Sequence, residues 1–265
     1  MKHSLSVIII TKNEEDRIER CLISVKSLAD EIIVYDSGSE DKTVDIVKTF
    51  TDKIWQTDWP GYGKQKQRAL DQASCDWVLS IDADEELDDK MQNAIKNILQ
   101  QENIQEVAFK LPWANFIFGE RTKFGRAGRA PLRLFKRDGA KFTLDMVHEK
   151  VVVSGTISKI KTGFLNHYSI RDYEHLLSKT RKYSWLTSLK YFKKKKKSYG
   201  IPIAILRSII TFLQIYIIRL GFLDGNRGLI LALIFTQSTF NKYVGLWSLE
   251  QSARKKANPY MNLDN

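Results

Sequence analysis

The apolar run at residues 77–81, WVLSI, ends in a crowd of acids, Asp82, Asp84, Glu85, Glu86 and Asp88, in a chain that carries 42 Lys+Arg against 31 Asp+Glu. Helix entry accounts for part of the cluster, because acids favour the first turn of an amphipathic stretch such as Leu87 to Leu99. That covers Glu85, Glu86 and Asp88 and does not require Asp82 and Asp84. Two carboxylates one residue apart at a strand end converge only if the backbone turns between them, and the loss of the apolar run permits that turn. Hard oxygen donors so placed suit a divalent cation. Two other polar clusters follow apolar runs in the same way, TKNEE at 11–15 and DSGSED at 36–41.

The elements that position these clusters are legible as short β-branched runs at 5–10, 31–36, 53–57 and 77–81, which read as buried strands. Helical patterns at 14–28, 41–50 and 62–73 alternate with them. Alternation of this kind predicts an α/β fold whose mainly parallel sheet is covered by helices on both faces. Ligands in such sheets bind beyond the carboxyl ends of the strands, where the polar clusters fall. Cys21 lies at helical spacing with Ile18, Leu22 and Val25 and reads as core. The two cysteines make no disulfide framework, and the opening MKHSLSVIII has too short an apolar run for a signal peptide, so a reducing cytoplasm is expected.

The stretches VIIITKNEEDRIERCLISV, IIVYDSGSEDKT and WVLSIDADEEL resemble, in order, the signatures of family-2 inverting glycosyltransferases with the GT-A fold. The resemblance covers roughly residues 5–170. With DWPGYGKQKQRALDQASCDWVLSIDADEEL, PLRLFKRDGAKF, VHEKV and GFLDGNRG it is closer still to the bacterial lipopolysaccharide core subgroup, which glucosylates inner-core heptose. Gln67 departs from that pattern, standing where such proteins usually carry Asn. The resemblance implies a GT-A nucleotide-diphospho-sugar transferase domain over 1–175, with a basic, apolar helical C-terminal region over 176–265.

It also implies roles. A nucleoside diphosphate leaving group must be neutralised as the glycosidic bond breaks, and a divalent metal, Mg²⁺ or Mn²⁺, does this without proton transfer. Asp84 is the candidate ligand, with Asp82 bridging to ribose or metal, and His167 or His148 as further ligands. Asp36 would accept from a uracil N3–H, Thr11, Asn13 and Glu14 would hold base and ribose, and Lys66 would reach the diphosphate. An inverting displacement needs a base for the acceptor hydroxyl. Glu149 in DMVHEKV is preferred over Asp145 because a His-Glu pair follows the RLF run in related transferases. The segment LPWANFIFGERTKFGRAGRAPLRLF at 111–135 reads as an acceptor loop, with Trp113, Phe116, Phe118 and Phe124 for sugar faces. Its Arg121, Arg126, Arg129 and Arg133 would serve phosphates or acidic sugars; an ordinary hairpin with a basic face is the alternative.

The net charge of +11 calls for an anionic partner. Nucleic acid fits poorly, because the acid clusters would face its phosphates and there is no zinc, helix-turn-helix or RNA-sheet motif. A nucleotide-sugar pyrophosphorylase would need a glycine-rich activating loop that the N-terminus lacks. The expected partners are a UDP-sugar, UDP-glucose by the subgroup resemblance, a lipopolysaccharide core acceptor, and an anionic membrane surface; polyprenyl phosphate is the alternative acceptor. Lys193 to Lys197 stand just before IPIAILRSIITFLQIYIIRLGF. Arg207 and Arg219 interrupt that stretch, leaving 208–218 as its longest charge-free interior run, too short to span. The expectation is a cytoplasmic, peripheral enzyme that docks on the inner face of the bacterial inner membrane.

Overall fold

A computed structural model describes residues 2–125, 130–144 and 149–257. Two compact units emerge, Met1–Asn115 with Gly128–Ser169, and Phe116–Ala127 with Ile170–Asn265.

In the first unit, β1 (Leu5–Thr11), α1 (Ile18–Lys26), β2 (Glu31–Asp36), α2 (Thr43–Lys48), β3 (Ile54–Gln56), α3 (Tyr62–Asp71) and β4 (Trp77–Asp82) alternate. With β6 (Ala108–Lys110), β9 (Leu132–Lys136) and β12 (Ile157–Lys159) the strands form a seven-stranded sheet in the order β12-β6-β9-β4-β1-β2-β3. Every residue of β1 is buried, as a central strand covered on both faces requires. Successive side chains serve opposite layers. Val7, Ile9, Val34 and Leu79 pack with Ile18 and Leu22 of α1, Val47 of α2, and Met91 of α4 (Asp89–Leu99). Ile8, Ile10, Ile33 and Val78 pack with Ala69 and Leu70 of α3 and with Phe135. Cys21 is fully buried in the first layer, and burial, reinforced by the Glu85 carboxylate, pushes its thiol well up.

The strands β1 to β4 pair in parallel, but β9 runs antiparallel to both β4 and β6, so the sheet is mixed. The elements are shorter than their sequence patterns: residues 15–17 precede α1 as a turn, and Glu85–Leu87 is not helix entry but a strand, β5. It pairs antiparallel with β13 (Leu165–Ile170), Glu85 opposite His167, and β7 (Trp113–Ile117) lies on the other side of β13. Asp88 alone caps α4, accepting from Met91 N at 2.7 Å while its other oxygen accepts from Phe164 N at 3.0 Å. Gly163 makes that junction possible: its φ is +78°, and a Cβ there would lie 2.2 Å from Met91 N. Asp88 thus fixes the start of β13, the strand that carries His167. Two further short strands, β10 (Lys141–Phe142) and β11 (Val151–Val152), pair with each other.

The second unit contains β8 (Glu120–Thr122) and the helices α5 (Tyr173–Lys193), α6 (Ile201–Phe212) and α7 (Gly225–Ala257). A π-helical stretch, Leu213–Ile218, continues α6, and a 3₁₀ turn, Gly221–Asp224, leads into α7. Helicity therefore runs through Arg207 without a break. Both α5 and α6 pack on α7.

Candidate active site

Parallel pairing of β1, β2 and β4 sets the three polar clusters side by side at the carboxyl ends of these strands, with Thr11 level with Asp36 and Ile10 level with Asp82. Lys66, buried on the inward face of α3, reaches this edge and bridges two carboxylates, Asp82 Oδ1 and Glu149 Oε1, each at 2.8 Å. Residues from α3, the end of β4 and the segment before β11 thus meet at one ammonium group. Burial would lower the Lys66 pKa, but the Asp82 charge overrides it and the ammonium form is favoured.

Behind this pair lies a buried layer that joins β4, β5, β7 and β9. Arg133 of β9 donates to Asp82 Oδ2 and to Glu85 Oε1, each at 2.5 Å. Glu85 Oε1 also accepts from Trp113 Nε1 at 2.7 Å, and Glu85 Oε2 accepts from the Asp82 backbone N at 2.9 Å. Burial opposes ionisation of Asp82, yet Arg133 and Lys66 hold its carboxyl far below the usual range. Glu85 goes the other way: burial raises its carboxyl, Arg133 opposes this and the Asp82 charge adds to it. Removing Arg133 would leave the buried Glu85 carboxylate without its cation, a class of change that costs about 3–5 kcal/mol. Arg133→Met is expected to lower unfolding stability by that order in a denaturant titration; an unchanged midpoint would show that the layer is not what holds the strand ends.

Asp84 stands apart from that layer. Its Oδ2 lies 3.5 Å from His167 Nε2 and 3.9 Å from Arg17. His167 Nδ1 is 3.1 Å from Asn115 Oδ1, and its ring stacks on Trp113 with centroids 4.7 Å apart. Burial lowers the His167 pKa, but the Asp84 carboxylate outweighs it and the net shift is upward. Among the described residues no cluster of three or more His, Cys, Asp or Glu is arranged around a metal position. A carboxylate oxygen facing an imidazole nitrogen nonetheless fits Mg²⁺ or Mn²⁺ held by few protein groups, with substrate phosphates and water completing the shell. Asp82 fits less well, since both its oxygens are engaged by cations.

The loops after β1 and β2 are laced together. Asn13, at φ +54°, donates from its backbone N to Ser39 Oγ at 2.8 Å and accepts from Glu40 N at 2.9 Å. Glu14 N donates to Thr43 Oγ1 at 2.8 Å, while the Glu14 carboxylate pairs with Arg17. Asp36 is fully buried and closes its own turn, accepting from Gly38 N and Ser39 N, each at 2.9 Å. Within the chain, therefore, this carboxylate forms a turn. Thr11 Oγ1 is buried with no hydrogen-bond partner, at the strand end where a ligand is expected.

The expected acceptor loop divides. Trp113 and Arg133 belong to the carboxylate layer of the first unit, whereas Phe116, Phe118, Arg121 and Phe124 belong to the second. Phe118 and Gly119, both at positive φ, turn the chain from β7 into β8, so this part is a hairpin. Asp145, His148, Arg126 and Arg129 lie outside the described residues. Gln67, the residue that departs from the subgroup pattern, accepts from Phe142 N at 2.8 Å and so ties α3 to β10. Sequence reasoning missed Glu85 and Arg17 as site residues and gave Arg133 a different partner. The buried alternation of Glu85 and Leu87 in β5 is a period-2 signal, but three residues are too few to read it.

Strand ends of a mixed α/β sheet that gather acids, a buried lysine and a histidine define the class of nucleotide-sugar transferases, and the chain belongs to glycosyl transferase family 2. The family model of that description matches residues 6–140. An uncharacterized glycosyltransferase of Rickettsia typhi is 33% identical over 94% of this chain and 89% of its own length. The lipopolysaccharide core biosynthesis glycosyltransferase LpsC of Rhizobium meliloti is 31% identical over 84% of this chain and 83% of its own. Among solved structures, glucosyl-3-phosphoglycerate synthase from Mycobacterium tuberculosis, in complex with Mg²⁺ and UDP, is 28% identical over 44% of each chain, with a TM-score of 0.33. The GT-A fold and the enzyme class follow from the family.

Proposed function

We propose that this glycosyltransferase moves a hexose, glucose from UDP-glucose, onto an inner-core heptose of lipopolysaccharide with inversion. The observation that carries this reading is Lys66 held between Asp82 and Glu149 beside the Asp84–His167 pair. Asp84 and His167 hold the divalent cation, Mg²⁺ or Mn²⁺, which when bound neutralises charge on the departing diphosphate. Thr11, Asn13, Glu14 and Asp36 form the wall for base and ribose, and the unpartnered Thr11 hydroxyl is the group there most in need of a ligand. Lys66 offers its ammonium to the diphosphate. Glu149 accepts the proton of the acceptor hydroxyl as that oxygen bonds to the anomeric carbon and the bond to the diphosphate oxygen breaks. The heptose acceptor is supported by the name of the Rhizobium meliloti relative and by the subgroup motifs.

The same reading makes the enzyme cytoplasmic and peripheral, drawn to an anionic membrane surface by Lys193–Lys197, where a lipid-anchored acceptor is presented. Incubation with a panel of UDP- and GDP-sugars and heptose-containing truncated lipopolysaccharide is expected to add one hexose from UDP-glucose, read as a mass gain. Transfer to polyprenyl phosphate instead would replace the acceptor class, and transfer only from a GDP-sugar would overturn the nucleotide assignment.

A further inference from the structure

The helical unit buries Leu231, Ile234 and Leu246 of α7 but turns the large apolar side chains of α6 outward. Where α5 meets α7 the contacts include small and hydroxylic ones: Ser184 Oγ lies 2.8 Å from Ser238 Oγ, and Ser188 Oγ donates to Lys242 O at 2.8 Å. A Cβ on Gly245 would lie 2.6 Å from Ser188 Oγ, so the two helices are close enough to need glycine there. On α6 the buried residues are Ala204 and Ser208, and Thr211 Oγ1 donates to Thr239 Oγ1 of α7 at 3.2 Å. The large apolar side chains face outward: Leu206, Ile209, Ile210, Leu213 and Ile217 are each 46–53% exposed. In water a helix buries its large apolar stripe and exposes its polar one. Small residues between helices with large apolar residues outside is the arrangement of helices surrounded by lipid.

Continuous helicity over Ile201–Ile218 gives an 18-residue apolar rod with mean hydropathy 2.0, of which only 17% is buried. Two polar side chains on it are exposed, Arg207 and Gln214. The Arg207 guanidinium is engaged by Tyr243, 3.1 Å from its hydroxyl and 4.8 Å from its ring centroid. Exposed cations flank the rod at both ends, Lys193–Lys197 before it and Arg219 after it. Pairing of two copies along α6, in either direction, would bring these basic ends together. Anionic lipid headgroups complement both ends at once.

We infer that the outward face of α6 and its π-helical continuation inserts among the acyl chains at the surface of a lipid bilayer, parallel to it, with Lys193–Lys197 and Arg219 at the headgroups. This rests on the membrane-docking reading above and goes past it, because insertion makes apolar contact, not charge, the main hold.

Flotation of the full chain tests it, with vesicles of phosphatidylcholine containing phosphatidylglycerol. The protein is expected to float at low salt and to remain bound at ~1 M salt, where charges are screened beyond about 3 Å. Ile209→Glu with Ile210→Glu, both on the exposed face, is expected to lower vesicle partitioning at least about tenfold at either salt while circular dichroism and UDP binding stay unchanged. A variant combining Lys193→Ala through Lys197→Ala should lose binding mainly at low salt. Complete release of the wild type by salt would overturn insertion and leave surface docking standing. No flotation at all would overturn both. A wild-type dimer in solution that the double Glu variant makes monomeric would show that a second copy covers the face, and insertion would be wrong.

Discussion

Asp84→Asn is expected to keep the fold and to cut turnover by about 10²–10³-fold, the scale of several kcal/mol of transition-state charge stabilisation. An amide of the same size fills the space of the carboxylate, whose Oδ2 lies 3.5 Å from His167 and 3.9 Å from Arg17. What it loses is the anionic oxygen that faces the imidazole. Stability measured by thermal melting should therefore change little while kcat falls and the Mg²⁺ or Mn²⁺ concentration needed for half-activation rises. Chelation of the wild type with EDTA should reproduce the loss, and added metal should restore it. Near-normal turnover in the variant, or a wild type indifferent to EDTA, would remove the metal role from Asp84.

The contrast between Asp84 and its neighbour Asp82 was only partly legible in the sequence. Burial runs such as 5–10 and 77–81 mark strands because an all-apolar, β-branched stretch has few other places to go, and the acids that end them fall where a parallel sheet opens to ligand. Nothing local distinguishes Asp82 from Asp84. The distinction comes from Arg133, 51 residues away, which engages Asp82 Oδ2, and from β13, which brings His167 opposite Glu85. Glu85 was misread for the same reason. An acid before an amphipathic helix looks like a capping residue, and it is the distant guanidinium and the Trp113 indole, with the Asp82 backbone N–H, that make its burial in a strand tolerable. The helical unit was legible in composition but not in direction. Its periodicity marks an apolar face on α6 without saying whether that face turns inward, and the small residues at Ala204, Ser208 and Gly245 decide it only once the partner helix is in place.

Glu149→Gln is expected to lower transfer by about 10²–10⁴-fold, the usual contribution of a general base, while UDP-sugar binding measured by titration stays nearly intact. The geometry separates the two effects. Glu149 shares the Lys66 ammonium with Asp82, so loss of its charge leaves Lys66 still paired at 2.8 Å and still cationic toward a diphosphate. The glutamine keeps the shape and can accept a hydrogen bond from Lys66, but it does not take a proton. Pairing also predicts how the base is released. An anionic diphosphate competes with Glu149 for Lys66, so donor binding frees the carboxylate for the acceptor hydroxyl, and Lys66→Met should weaken UDP-sugar binding as well as turnover. Asp145→Asn should reduce transfer less than Glu149→Gln. A larger loss in the Asp145 variant, with Glu149→Gln retaining most of its acceptor kinetics, would move the base to Asp145 and leave Glu149 as a partner that positions Lys66.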